Sequence, residues 1–247
     1  MTSPSDPRHA RGGPGGAAGR VALVIGGAGR IGAAVVEALA GRGWLVAIHA
    51  HRSLDRARAT AEALEARGLP GLAVTANLRD EGTVRALVHR VADHFGRIDA
   101  LVTCARTIRP TALDDLTVDD FRAHYEVNCI GTFVAAQEAG AVMADQPTGG
   151  AIVMLGAAES TAPAAGTIAA AASLGAIPAL ARGLAAGFAI KNPRVRVTAV
   201  LPEPECPAES IARAVLALID DESATGACVP IDARGLVTPA RPPAGRS

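Results

Sequence analysis

Val21-Ala-Leu-Val-Ile-Gly26-Gly27-Ala-Gly29-Arg30-Ile31-Gly32-Ala-Ala-Val-Val-Glu37 is the stretch that decides the fold. Val21 to Ile25 is an unbroken apolar run of strand length, as in a strand buried on both faces. The glycine cluster after it reads as a tight turn, and Ala33 to Leu39 as a helix that starts directly beyond. Strand, glycine turn and helix N-terminus together make an anion site. Backbone N–H groups without partners and the positive end of the helix dipole converge there. Gly27, Gly29 and Gly32 fit Gly-x-Gly-x-x-Gly, the dinucleotide fingerprint. Gly26 to Gly32 offers a second register. The alternative is a strand-to-helix turn that holds no ligand.

Outward from this unit the pattern repeats. Strands are expected at Trp44–Ile48, Leu72–Ala76, Ile98–Thr103, Gly150–Leu155, Val195–Leu201 and Ala227–Ile231. Helices are expected at Leu54–Arg67, Asp80–Phe95, Thr117–Ala144, Thr167–Ile190 and Ala208–Ile219. Gly68 is a C-terminal stop signal, and Thr117 with two acids behind it a start signal. Pro178 should kink or break the Ala-rich helix around it. Strands alternating with helices imply a seven-stranded parallel sheet covered on both faces, a doubly wound α/β fold in one domain spanning 20–236. The Ala-rich helix has little side-chain volume and is expected to pack closely, within its own core or against a second subunit.

Composition narrows the function. The formal net charge is zero, so nothing in it favours nucleic acid or an anionic membrane. No apolar run reaches the ~20 residues that span a bilayer. Residues 1–19 and 237–247 are Pro-, Gly- and Arg-rich and are expected to be disordered tails, the first without the apolar region of a secretory signal. Cys104, Cys129, Cys206 and Cys228 lack metal-ligand spacing and are expected to be reduced thiols in a cytoplasmic protein. Lys191 is the only lysine and Tyr125 the only tyrosine.

Over 20–236 the chain resembles the short-chain dehydrogenase/reductase family, whose fold is a Rossmann sheet. That family's Thr-Gly-x-x-x-Gly-x-Gly stands here as Ile25-Gly26-Gly27-Ala28-Gly29-Arg30-Ile31-Gly32, with Arg30 in the middle glycine's place. Arg30, together with His49-Ala-His51-Arg52-Ser53, is similar to the pteridine-reductase-like branch, whose His-Arg-Ser holds the 2′-phosphate of NADPH. The chemistry agrees independently. An NAD site wants a carboxylate about 20 residues past the glycines; this chain has Arg52 and Ser53, and an arginine can make a charge-assisted fork to phosphate. Asn77-Leu78 stands where the family has Asp-Leu or Asp-Val beside the adenine. The resemblance thus implies NADP(H) held by Gly26, Gly29, Arg30, Ile31, Gly32, His51, Arg52, Ser53, Asn77, Leu78 and Ala105.

The nicotinamide end departs from the family. Its Asn-Asn-Ala-Gly is Thr103-Cys104-Ala105-Arg106. Gly156-Ala157 stands at the catalytic serine pair, and Ala170 and Leu174 at the Tyr and Lys of Tyr-x-x-x-Lys. With one Tyr and one Lys in the chain, no register restores that pair. The helical lid after the sixth strand is mostly deleted, because Pro207-Ala-Glu-Ser-Ile211 already matches the next family helix. Asn128 survives as a vestige of the catalytic set, and Glu159, two positions past the missing serine, is the candidate replacement acid. His124 shares a helix face with Asn128 and reads as a packed histidine more than a relay. Tyr125 reads as packing, and Cys104 as a buried small hydrophobe.

Three functions compete. One is a catalytically attenuated NADP(H)-binding partner subunit, in a homodimer, a homotetramer or a complex with an active homologue. A second is a non-redox cyclase or isomerase using the same cleft. The third is an NADPH reductase of carbonyl or pteridine-like substrates, protonated by substrate, water or Glu159.

Overall fold

The computed structural model describes residues 19–235; the two expected tails fall outside the described residues apart from Gly19. Seven strands form one sheet: β1 Val21–Ile25, β2 Leu45–Ala50, β3 Gly71–Thr75, β4 Ala100–Thr103, β5 Gly150–Leu155, β6 Val195–Pro202 and β7 Cys228–Ile231. Their order is β3-β2-β1-β4-β5-β6-β7, with every neighbouring pair parallel. The order reverses between β1 and β4, whose register pairs Val24 with Val102 and Ile25 with Thr103. At such a reversal the connections leave to opposite faces and open a crevice at the strands' C-terminal ends.

Helices cover both faces: α1 Arg30–Ala40, α2 Leu54–Glu65, α3 Glu81–Phe95, α4 Val118–Tyr125, α5 Thr132–Ala144, α6 Ile168–Gly175, α7 Ile177–Lys191 and α8 Ala208–Asp220. Side chains alternate along each strand, so β1 feeds two cores. Ala22 and Val24 join α1, α2 and α8; Val21, Leu23 and Ile25 join α3, α5 and α7. Burial of apolar surface at ~25 cal/mol per Å² is the main force holding these layers. The helix starts read from sequence carry their caps: Asp80 accepts the Thr83 N–H, and Thr117 and Asp120 form a reciprocal capping box.

Three expectations are corrected. The second strand runs two residues past Ile48 and so carries His49. The helix expected over 117–144 contains a π-helical section, Glu126–Gly131, between α4 and α5. Gly131 there lies so close to the Leu78 carbonyl that a Cβ would sit 2.6 Å from it. As expected from Pro178, the Ala-rich helix breaks, at Ala176, and Pro178 sits in the first turn of α7, where its missing N–H costs nothing. The stretch Ile168–Lys191 is also apolar and long enough, by length and composition, to cross a bilayer, contrary to the sequence reading. Its Ala, Ile and Leu content raises the hydropathy. Here Ile177, Ala181, Ala185 and Phe188 pack onto the sheet.

Candidate functional site

The glycine turn is shaped by two close approaches. Gly26 has φ +79°, and a Cβ on it would stand 2.7 Å from the Ala105 amide; a Cβ on Gly32 would stand 2.1 Å from the Gly26 carbonyl. The first draws the turn against the end of β4, and the second draws α1 against the turn. Gly29 is the N-cap of α1 without a side-chain cap, and the first turn of α1 has no acid. Its leading N–H groups therefore face a cleft of about 860 Å³ at the β1/β4 reversal.

All the expected cofactor residues line this one cleft: Gly26, Gly29, Arg30, Ile31, Gly32, His51, Arg52, Ser53, Asn77, Leu78 and Ala105. Arg56, a turn into α2, joins them and donates to the Ala28 carbonyl at 3.3 Å. Among the described residues the lining holds six arginines, Arg30, Arg52, Arg56, Arg79, Arg106 and Arg109, against one acid, Asp120. Arg79 is paired with Glu126 at 2.6 Å, and in a chain of zero formal charge the lining still carries more cationic than acidic groups, a local bias toward an anion. A second hollow of about 720 Å³ lies at the opposite strand ends. Its lining is more nearly balanced, with Arg20, Arg97, Arg194 and Arg196 against Asp99, Asp220 and Glu222, and Arg97 paired with Asp99 and Arg20 with Asp220.

His49 fixes the turn from below, a role the sequence reading did not assign. It is 1% exposed, its Nδ1 accepts the Gly26 N–H at 3.0 Å, and its Nε2 lies 3.1 Å from the Ala76 carbonyl. A carbonyl only accepts, so Nε2 carries the proton and the ring is neutral. The available signal was a polar residue interrupting an apolar strand, level with the glycine turn. Burial holds the imidazole below its ordinary 6.5; the Ala76 carbonyl opposes this and His51 adds repulsion. The unfolded chain thus takes up this proton at a higher pH than the folded one. His49 contributes its full stability above pH 6.5 and loses it as pH falls below that value. His49→Gln should therefore flatten the decline in melting temperature as pH falls below 6.5. His49→Ala leaves two buried backbone groups unpaired and should cost about 1–3 kcal/mol, read by urea denaturation.

At the other end the expected losses are closed over. Ala157, Ala170 and Leu174 are 1%, 4% and 2% exposed. A Cβ on Gly156 would stand 2.6 Å from a Leu201 methyl, so no serine fits there without repacking. The Thr111 N–H donates to the Gly166 carbonyl at 2.9 Å, tying the loop after β4 to the segment that follows β5. Among the described residues lining the cleft, none of these three positions appears. The side chain of Glu159 lies outside the described residues, so its proposed part as an acid has no geometry to rest on.

Asn128 does not line the cleft. It sits in the π-helical section, 1% exposed; its Oδ1 accepts the Thr107 N–H at 2.6 Å, and its Nδ2 donates to the Thr107 carbonyl and to Ser173 Oγ. His124 is also buried: Nδ1 donates to the Asp120 carbonyl at 2.7 Å, and Nε2 accepts the Arg109 N–H at 3.2 Å. Tyr125 stacks on Phe121 and donates to the Ala172 carbonyl, in keeping with a packing role. Burial pushes the Cys104 thiol up to about 12, against a smaller opposing pull from Arg106. It is a small buried hydrophobe at neutral pH, not a nucleophile. Among the described residues no group of three or more potential ligands is placed to hold a metal ion.

A doubly wound parallel sheet with a glycine turn and a helix N-terminus at its strand-order reversal defines a dinucleotide-binding class of α/β protein. The chain belongs to the short-chain dehydrogenase family: the family profile described as short chain dehydrogenase matches residues 20–205. It is similar to hydroxynaphthalene reductase arp2 of Aspergillus fumigatus, 32% identical over 73% of this chain and 65% of that one. It spans about half the length of several other curated relatives it matches. Among solved structures it is similar to a short chain dehydrogenase from Burkholderia cenocepacia in complex with NADP. That match has a TM-score of 0.80 and 32% identity, and covers 87% of this chain and 97% of that one. A blue fluorescent protein from a metagenomic library, solved with NADPH, matches with the same TM-score and coverage at 30% identity.

Proposed function

We propose that this protein is an NADP(H)-binding member of its family, close to the pteridine-reductase-like branch, that has given up carbonyl reduction and works as a partner or scaffold subunit. The observation that carries this reading is the polarity of the cleft. Every adenine, 2′-phosphate and pyrophosphate residue expected from the family lines it, while Ala157, Ala170 and Leu174 are enclosed in the core.

The residues present fit the dinucleotide. Gly26 and Gly32 leave backbone where a Cβ would clash, and the leading N–H groups of α1 are positioned for a pyrophosphate. Arg52 and Ser53 follow β2 with Arg56 a turn beyond, so three donors are available to a 2′-phosphate. NADPH, when bound, supplies a hydride. A carbonyl that accepts it becomes an alkoxide and needs a proton, and Ala157, Ala170 and Leu174 have none to give. Positioned acid catalysis is worth about 10²–10⁴ in rate.

The associated partner is a second copy or a homologue bearing an intact Tyr-x-x-x-Lys pair. The test is a fluorescence titration with NADPH and NADH, followed by turnover assays with ketones, quinones and pterins. NADPH should bind at least about tenfold more tightly than NADH, a difference of about 1.4 kcal/mol, and should not be oxidised. Failure of both nucleotides to bind would overturn the nucleotide reading, and a clean homodimer with its own turnover would overturn the partner role.

A further inference from the structure

His49 joins two segments of the cleft that lie far apart in the chain. Its Nδ1 accepts the Gly26 N–H and its Nε2–H donates to the Ala76 carbonyl, 23 and 27 residues away. Gly26 opens the glycine turn, and its carbonyl accepts the N–H of Gly29, the N-cap of α1, at 3.0 Å. Ala76 directly precedes Asn77 and Leu78, which line the cleft beyond β3. The ring reaches both because the register sets His49 opposite Val74 on β3 and Ile48 opposite Val24 on β1. One buried side chain thus ties the expected pyrophosphate turn to the expected adenine loop. The arrangement works in a single protonation state. The Gly26 N–H only donates, so Nδ1 must keep its lone pair; a second proton would set N–H against N–H.

We infer that His49 is a positioning residue for the nucleotide: its neutral ring sets the glycine turn and the adenine loop at one spacing, and a proton on Nδ1 releases the turn and weakens nucleotide binding. The inference rests on the nucleotide reading and adds its regulation by pH. The charged and titratable groups on the elements around the ring are Arg30 on α1, His51 and Arg52 after β2, Arg56 on α2, Arg79 after β3 and Cys104 after β4. His51 repels a proton on His49, and the Cys104 thiol stays neutral. Phosphates in the cleft attract a proton, so charge alone would make nucleotide binding favour the protonated ring. Loss of the Gly26 bond acts in the opposite direction, which gives the test its sign.

The first measurement needs no substitution. Nitrogen-15 spectra of the imidazole follow His49 protonation against pH in the full-length protein, free and saturated with NADP⁺. Binding and protonation are reciprocal, so saturation should move the protonation midpoint to lower pH. A rise or an unchanged midpoint overturns the inference. Calorimetric titration of NADP⁺ then compares the unaltered protein with His49→Asn, whose Oδ1 takes the place of Nδ1 and accepts without titrating. At neutral pH the two should bind within about threefold of one another, and His49→Leu, with no acceptor, at least about tenfold more weakly. As pH falls toward the lowest value at which the protein stays folded, the unaltered protein should lose at least about threefold more affinity than His49→Asn. His51 and the 2′-phosphate are common to both, so their charges cancel in the comparison. Parallel losses, or tight binding by His49→Leu, overturn the inference; where His49→Leu does not fold, the spectra and the asparagine comparison decide. Should NADP⁺ fail to bind at neutral pH, the nucleotide reading fails. Exchange of the Gly26 amide proton in the free protein then still tests the hold on the turn. Acid should loosen it, relative to neighbouring amides, in the unaltered protein and not in His49→Asn, and equal exchange overturns the role of the imidazole.

Discussion

Arg52→Ala is expected to weaken NADPH binding by about 10- to 100-fold while leaving NADH within about twofold. The two nucleotides differ only in the 2′-phosphate, and Arg52 with Ser53 stands directly after β2 at the rim of the cleft. Hydrogen bonds to charged groups contribute about 1.5–3 kcal/mol each, and solvent at an exposed arginine draws the effect toward the lower part of that range. Arg56, one turn along α2, already donates to the Ala28 carbonyl, so it supplements Arg52 and does not replace it. Calorimetric titration of both nucleotides checks this. An equal loss for both would show a damaged fold, and no loss for either would remove Arg52 from the phosphate.

The second large effect is on turnover. The NADPH-loaded protein should reduce carbonyl substrates at least about 10²–10⁴-fold more slowly than a relative with the Tyr-x-x-x-Lys pair, the contribution of a positioned acid. Restoring the two side chains should not recover the rate. Ala170 and Leu174 are enclosed, and forcing a tyrosine and a lysine into closed positions costs about 1–3 kcal/mol in packing, with further loss for the buried charge. Ala170→Tyr/Leu174→Lys is therefore expected to melt at a lower temperature and remain inactive. Nicotinamide absorbance under saturating NADPH and differential scanning fluorimetry give the two readings. A stable, active double variant would mean that the pocket is intact and only its side chains are gone.

Much of the fold was legible because its signals are local. Apolar runs, glycine stops and the Thr117 cap each act over a few residues, and their alternation forces a parallel sheet. The glycine turn and His51-Arg52-Ser53, on which the proposed adenine end rests, could be picked out for the same reason, because they are contiguous motifs. What escaped depends on residues far apart in the chain. His49 matters because the β1–β2 register, with Val24 opposite Ile48, brings it under Gly26, and nothing next to it in sequence says so. Asn128 read as a vestige of the catalytic set, because its contacts with Thr107 and Ser173, 21 and 45 residues away, are invisible in the residues around it. Arg109 was silent in sequence, an arginine in a loop, and the structure puts it on the lining of the cleft with its backbone N–H bound by His124.

The most direct measurement compares the two halves of the dinucleotide on the same protein. Adenosine 2′,5′-bisphosphate should bind within about tenfold of NADPH, a gap of no more than about 1.4 kcal/mol, and nicotinamide mononucleotide should show no saturable binding. If nicotinamide mononucleotide binds, or if NADPH outbinds the bisphosphate by about a hundredfold or more, the nicotinamide half is furnished after all and the proposed division of the cleft is wrong.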